Sequence, residues 1–284
     1  MKAKWILVDS PSKLNHAAED IRKSLVLGID TEYDSFRYFR EKLCLIQVHA
    51  GDTTYIFDPL AGFDLLFLGE AFSQRQKVKV LHAADNDIRL LRRDYSFDFE
   101  NIFDTHRAAL MLGFRQLSLE KMIAEFVGVD LAKNKKMQRS RWDSRPLAED
   151  QLSYAAQDVA YLGRLYERQL AQLKERKLEE AAAEAFVRIA ASDWQDKKMD
   201  WLGHTKIKGY RDLNLRQKAL LKKLYAWRWR RAKEENRAVF MFLPDNTLLE
   251  LARNNDRWDE VLPPEKKKYY GSELAKIIST HAAA

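Results

Sequence analysis

The stretch KLCLIQVHAGDTTYIFD, residues 42–58, restricts the fold of this chain more than any other. Two apolar runs of strand length flank Gly51-Asp52, a turn signal that joins antiparallel neighbours in a hairpin. A sheet is therefore expected in the early part of the chain. SLVLGI, residues 24–29, supplies a further strand, and VKVLHAA, residues 78–84, another. The last of these follows a helical stretch around residues 63–75, so it rejoins the sheet by a crossover. From Asp104 onward the pattern is helical almost throughout, which makes the first part a mixed α/β sheet with helices packed on it.

Between Gln172 and Trp194 the chain is charged, alanine-rich and helical in pattern, and the periodicity then breaks around Gly203 and Gly209. A domain boundary is expected there, giving domains 1–198 and 199–284. In the second, LRQKALLKKLYAWRWRRAKEENR repeats apolar residues at Leu220, Leu224 and Trp227, with Leu221 and Tyr225 beside them, as an amphipathic helix requires. TLLELARN opens with Thr247 and Glu250 at capping-box spacing. This part reads as a small all-helical bundle.

Three segments carry acids in positions that invite chemistry. In LVLGIDTEYDSF, strand alternation points Asp30 and Glu32 the same way and sends Thr31 into the opposite layer, while Gly28 leaves room on the acids' face. Like charges this close resist burial unless a cation offsets them, so a divalent metal is the economical explanation. D-x-E alone also fits a loop cap beside a solvated acid. In VLHAADNDIRLLRRD, Asp85 suits the N-cap of a helix and Asp87 falls in its first turn, free to point across the sheet edge. Both acids equally fit the simpler task of satisfying a helix terminus. In DQLSYAAQDVAYLGRLY, Tyr154 and Asp158 lie four apart on one helical face, at the margin of an apolar stripe formed by Leu152, Ala155, Val159 and Leu162, a pair that also fits a tyrosine hydroxyl bonded to a carboxylate for stability alone.

Taken together, the three segments resemble ribonuclease D and its relatives, the Tyr-type DEDD exonucleases. That family carries D-x-E on the first strand, an Asp five residues after a His, and Y-x-x-x-D in a third segment; here these are Asp30 and Glu32, Asp87 after His82, and Tyr154 with Asp158. The similarity extends to EKLCLIQV, IFDT and RWDSRPLAEDQLSYAAQDVAYL and covers most of residues 20–170. It implies a ribonuclease H-like mixed sheet with flanking helices. It also implies that Asp30, Glu32, Asp87 and Asp158 hold two divalent cations, Mg²⁺ or Mn²⁺, while Tyr154 orients the attacking water. The implied activity is 3′–5′ exonucleolytic release of 5′-mononucleotides from unpaired RNA 3′ ends, in the maturation of tRNA or other stable RNA. His82 matches the pattern and reads as structural. The second domain resembles the HRDC domain shared by RecQ-type helicases and ribonuclease D, through LRQKALLKKLYAWRWRRAKEENRAVFMFLPDNTLLELA. It departs from that family at LPPEKKKYYG, where a Gly-rich turn is common.

The formal net charge of +7 suits a polyanionic partner, and its distribution names the candidates. KNKKMQRSRWDSR, residues 133–145, holds Lys133, Lys135, Lys136, Arg139, Arg141 and Arg145 against Asp143, directly before the Tyr154 helix. Lys135, Lys136, Arg139 and Arg141 are the expected phosphate contacts, although a solvated loop fits equally well. Trp142 could stack on a base or anchor the loop. Tyr33 and Phe36, within YDSFRYFREK, are the expected stacking residues, and core packing claims part of that aromatic group. Residues 216–237 add nine basic side chains against Glu234 and Glu235.

The expected partner is RNA with a single-stranded 3′ end, with no membrane and no obligate protein partner. The same centre could act on DNA, and an exonuclease fold can serve as a non-catalytic nucleic-acid adaptor, but an adaptor has no need of clustered acids. With Cys44 as the only cysteine, no intrachain disulfide is possible; the opening MKAKWILVDS lacks the apolar core of a signal peptide, and a cytoplasmic protein is expected.

Overall fold

The computed structural model describes residues 4–131 and 135–282 and divides into two units. The first comprises residues up to Asp34 together with Lys42–Gln195; the second comprises Ser35–Glu41 and the chain from Asp196 onward.

The first unit is built on a six-stranded sheet in the order β1-β4-β3-β2-β5-β6. Its strands are β1 (Trp5–Val8), β2 (Val26–Asp34), β3 (Lys42–Ala50), β4 (Thr53–Phe57), β5 (Val78–Leu81) and β6 (Ile102–Asp104). The hairpin forms as its turn signal requires, with β3 antiparallel to β4 and Gly51 at φ +62°, a left-handed conformation that glycine adopts without a Cβ penalty. β2 pairs antiparallel with β3, and β5 returns parallel to β2, as expected of a crossover. β1, parallel to β4, and β6, parallel to β5, were not legible in the sequence, because runs of four and three residues are too short to show a period.

Helices α1 (Pro11–Lys23), α2 (Leu66–Phe72), α3 (Asp85–Tyr95), α4 (Thr105–Met111), α5 (Leu119–Val127), α6 (Lys135–Gln138), α7 (Glu149–Ala160), α8 (Leu162–Glu175) and α9 (Glu179–Ala190) complete this unit. Leu27, Ile29, Ile46, Val48 and Phe57 pack into the larger core with residues of α1, α2 and α3. On the other face, Leu45 and Ile56 pack against Trp142 and against Leu152, Ala155 and Ala156 of α7. Gly28 belongs to that second face, and its purpose is specific: a Cβ there would lie 2.8 Å from the Val159 carbonyl oxygen. Only glycine lets α7 approach β2 this closely.

Asp85 is not the cap of α3. The helix begins at Asp85 itself, and the N–H of the preceding Ala84 is bound by Asp104 Oδ2 at 2.7 Å. Asp104 is 1% exposed and its other oxygen accepts from Arg107 N at 2.7 Å, so one buried carboxylate joins the entry to α3 to the start of α4. Asp104 caps α4, while the first turn of α3 has no side-chain cap.

The second unit is helical: α10 (Leu215–Glu234), α11 (Val239–Phe242), α12 (Asp245–Arg253), α13 (Trp258–Val261) and α14 (Pro264–Ala282). Leu220, Leu221, Leu224 and Trp227 are buried in its core as the periodicity requires, and Tyr225 packs at its margin. Thr247 does not open α12. That helix starts two residues earlier, after Pro244, so Thr247 is inside its first turn. Segment Ser35–Glu41 belongs here because Phe39 is part of this core, Arg37 O accepts from Ala238 N at 2.8 Å, and Asn236 Oδ1 accepts from Arg40 N at 2.7 Å. No helix among the described residues is long and apolar enough to cross a membrane.

Candidate active site

β2 and α7 bring three of the four acids together. One carboxylate oxygen from each of Asp30, Glu32 and Asp158 lies within 4.8 Å of the others. Strand pitch sets Asp30 and Glu32 side by side, and α7, seated closely over Gly28, lowers Asp158 onto them. Tyr154, one turn earlier on α7, donates its hydroxyl proton to Asp158, and the Gln138 side chain hydrogen-bonds the same hydroxyl.

Asp87 stands beside this trio and is held differently. It is 7% exposed, and its carboxylate accepts a hydrogen bond from the Thr31 hydroxyl. Thr31 points to the layer opposite Asp30 and Glu32, so Asp87 approaches β2 from that side, beyond the point where β5 stops pairing at Gly28.

The electrostatics are those of an acid cluster that wants positive charge. Burial raises the Asp30 carboxyl well above its usual range, and Asp87 and Asp158 raise it further, against one hydrogen bond from the Thr31 backbone. Burial also raises Glu32, followed by repulsion from Asp30, Asp158 and Asp87. Asp87 is pushed up to about 6 by burial, with the Thr31 hydroxyl opposing the shift. Asp158 is pushed up to about 7 by burial, opposed by Tyr154 and reinforced by Glu120. The Tyr154 hydroxyl is itself raised by burial and by Asp158 and Glu32, so it stays protonated. Converging carboxylate oxygens form a hard, all-oxygen donor set, which fits a divalent cation such as Mg²⁺ or Mn²⁺ and not a soft metal.

Asp30, Asp158 and Tyr154 open on a cleft of about 440 Å³, whose further walls include His82, His106, Leu117, Leu119, Glu120, Gln138 and Leu162. His82 is fixed by Thr105 Oγ1 at 2.8 Å, and burial lowers it to about 4, so it is neutral. Its structural reading agrees with this geometry, although it also lines the cleft. His106, Glu120 and Gln138 escaped the sequence reading, since each lies outside the acid motifs and reaches the cleft only through the packing of α4, α5 and α6.

The expected substrate contacts divide. Lys133 lies outside the described residues, as do the side chains of Lys135 and Lys136. Arg139 is exposed, and Arg141 is exposed but paired with Asp143, at 3.0 Å from Nε. Arg145 is committed to structure: its guanidinium grips both oxygens of Asp58 and donates to the carbonyls of Cys44, Trp142 and Ser144. Trp142, 1% exposed and 6.2 Å from the Tyr154 ring, anchors the loop. Tyr33 is half-buried and accepts from Asn86 at 3.4 Å. Phe36 is 61% exposed and belongs to the second unit, where its ring lies 5.0 Å from Phe240. On α10, Arg228 is buried, donating to Leu243 O and Asp245, whereas Lys222, Lys223 and Arg230 are exposed.

Comparison with known proteins gives this geometry its context. Residues 5–174 match the 3′–5′ exonuclease family, and residues 217–278 match the HRDC domain. The chain is 31% identical over 259 residues to the exosome complex component 10 homolog of Drosophila melanogaster, covering 89% of this chain but 29% of that protein. It is 32% identical over 251 residues to ribonuclease D of Gluconacetobacter diazotrophicus, covering 87% of this chain and 62% of that protein. Among solved structures, the catalytic core of RRP6 from Trypanosoma brucei shares the fold, with a TM-score of 0.87 at 22% identity over 99% of this chain and 80% of that one. The chain thus spans less than two thirds of either relative. The Drosophila protein is by name part of a complex, so the expectation of no obligate protein partner is without support.

Proposed function

The chain belongs to the 3′–5′ exonuclease family, and from that premise we propose that it is a metal-dependent 3′–5′ exoribonuclease, removing 5′-mononucleotides stepwise from unpaired RNA 3′ ends. The observation that carries this reading is the trio Asp30, Glu32 and Asp158 within 4.8 Å, with Tyr154 bonded to its third member. The ribonuclease D relative supports RNA as the substrate.

In this reading Asp30, Glu32 and Asp158, together with Asp87 clasped by Thr31, would hold the divalent cations. Two Mg²⁺ or Mn²⁺ ions bound there would supply Lewis-acid activation of water and stabilise charge on the departing 3′ oxygen. The protein's own part is positional. The Tyr154 proton is engaged by Asp158, so the phenolic oxygen can only accept further hydrogen bonds. A water donating to it would present a lone pair toward the terminal phosphorus, and no loss of the tyrosine proton is needed. The neutral His82 leaves the cleft without a competing cation at that wall.

Exposed Arg139 and Arg141, in the segment before α7, are the arginines this reading assigns to incoming phosphates, and exposed Lys222, Lys223 and Arg230 are those it assigns to the HRDC-like unit. Maturation of tRNA or other stable RNA in the cytoplasm is the setting this activity suits. The test is a time course on 3′-extended, 5′-labelled RNA with Mg²⁺, Mn²⁺ or chelator, beside a matched DNA strand. A ladder shortening from the 3′ end only with metal is expected. Internal cuts or metal-independent cleavage would overturn the proposal, and faster DNA shortening would overturn its RNA assignment.

A further inference from the structure

We propose that Gln47 is a positioning residue that holds the Asp30 carboxylate in its cation-binding orientation by donating from its side-chain Nε2. This deepens the metal-site reading above and rests on it. The β2–β3 register sets Gln47 directly opposite Asp30. Directly opposed residues project from the same face of a sheet. The next pair along the ladder shows that face: His49 opposes Gly28, and a Cβ on Gly28 would lie 3.4 Å from the His49 Cβ. His49 in turn meets its own opposite residue, Thr54, at 2.9 Å. Gln47 therefore lies on the acids' side of the sheet, under α7.

Its environment is unusual for a carboxamide. Gln47 is 0% exposed, and neither Oε1 nor Nε2 has a hydrogen-bond partner among the described residues. A buried amide with both ends unpartnered costs stability, and methionine or leucine would fill a similar volume without that cost. Such a residue demands a use, and the ionisable group facing it across the ladder is one of the acids. A carboxylate that ligates a cation through one oxygen leaves the other in need of a donor. For Asp30, the protein supplies a hydrogen bond from the Thr31 backbone. Opposed Cβ atoms lie about 5 Å apart, less than the combined reach of a glutamine and an aspartate side chain. Nε2 is therefore within bonding reach of the carboxylate. Partners of this kind, behind the groups that touch the metal, fix ligand orientation and affinity.

The test is Mn²⁺ binding by calorimetry to the full chain and to Gln47→Met and Asp30→Asn. Gln47→Met should bind Mn²⁺ about 10–100-fold more weakly, while its metal-free melting temperature stays level or rises through loss of the buried amide. Unchanged Mn²⁺ affinity in Gln47→Met, with binding lost in Asp30→Asn, would overturn this proposal alone. Unchanged affinity in Asp30→Asn would overturn the metal-site reading and this proposal with it. A measurement on the unaltered chain needs no variant to fold: Mg²⁺ should shift the Gln47 side-chain amide protons downfield and slow their exchange. Signals indifferent to Mg²⁺ would overturn the proposal.

Discussion

Thr31, the residue between the two acids of β2, donates its hydroxyl to the carboxylate of Asp87, 56 positions later in the chain. The clasp ties α3 to the central strand and restrains the one acid that arrives from the opposite layer. Thr31→Val keeps the shape and removes the donor. We expect a loss of about 1.5–3 kcal/mol in urea unfolding at pH 8, where Asp87 is ionised. RNA shortening should slow as well, with its acidic limb moved to higher pH because the hydroxyl opposes the rise of the Asp87 carboxyl. A variant equal to the parent in both would reduce the clasp to an incidental contact.

Stability without metal should fall as the medium becomes alkaline. Asp87 at about 6 and Asp158 at about 7 both lie above the ordinary carboxyl value. The folded chain therefore binds their protons more tightly than the unfolded one. Their contribution is complete below pH of about 4 and is lost as pH rises through 6 to 7, at up to about 1.4 kcal/mol per pH unit for each proton. Melting in EDTA should be higher at pH 5 than at pH 8, and Mg²⁺ should restore the pH 8 value. A melting temperature that climbs from pH 5 to 8 in EDTA would contradict the raised carboxyls.

Tyr154→Phe should fold as the parent does and keep its metal affinity, because the carboxylates remain. Turnover should drop about 100-fold, the scale of effect that misplacing a reacting group produces. Single-turnover rates at saturating Mn²⁺ measure this directly, and parental rates would leave Tyr154 a packing role.

Gly28→Ala tests the approach of α7 to β2. The added Cβ meets the Val159 carbonyl oxygen at 2.8 Å, backbone that cannot rotate away, so the helix bearing Tyr154 and Asp158 must shift. We expect about 1–3 kcal/mol of lost stability and weaker Mn²⁺ binding. A stable variant with intact binding would show that α7 has slack.

Arginines 139, 141 and 145 should separate by role. Arg145→Ala removes the grip on Asp58 and three carbonyls, and should cost about 3 kcal/mol. Arg139→Ala should leave melting nearly unchanged, whereas Arg141→Ala should also lower it, because it removes the two-point pairing with the buried Asp143 carboxylate. Each should lower the slope of log Kd against log salt for single-stranded RNA by about 0.7. Equal slopes in parent and variants would remove them from the RNA path.

Read by itself, the sequence determined whatever depends on repeats along the chain. The hairpin follows from the turn residues Gly51-Asp52, and the shared face of Asp30 and Glu32, the stacking of Tyr154 on Asp158 and the apolar seam of α10 follow from the pitch of a strand or a helix. Each period spans a few residues, so local order is enough to express it. Tertiary structure alone decided which distant groups meet. The Thr31 clasp on Asp87, the opposition of Gln47 and Asp30, the bond from the Ala84 N–H to Asp104 at the entry to α3, and the passage of Ser35–Glu41 into the second unit depend on register and on how closely helices seat. Those quantities are set by the packing of whole layers, where one methyl on Gly28 or a one-residue slip of β3 would rearrange the site, and no spacing within a single segment records them.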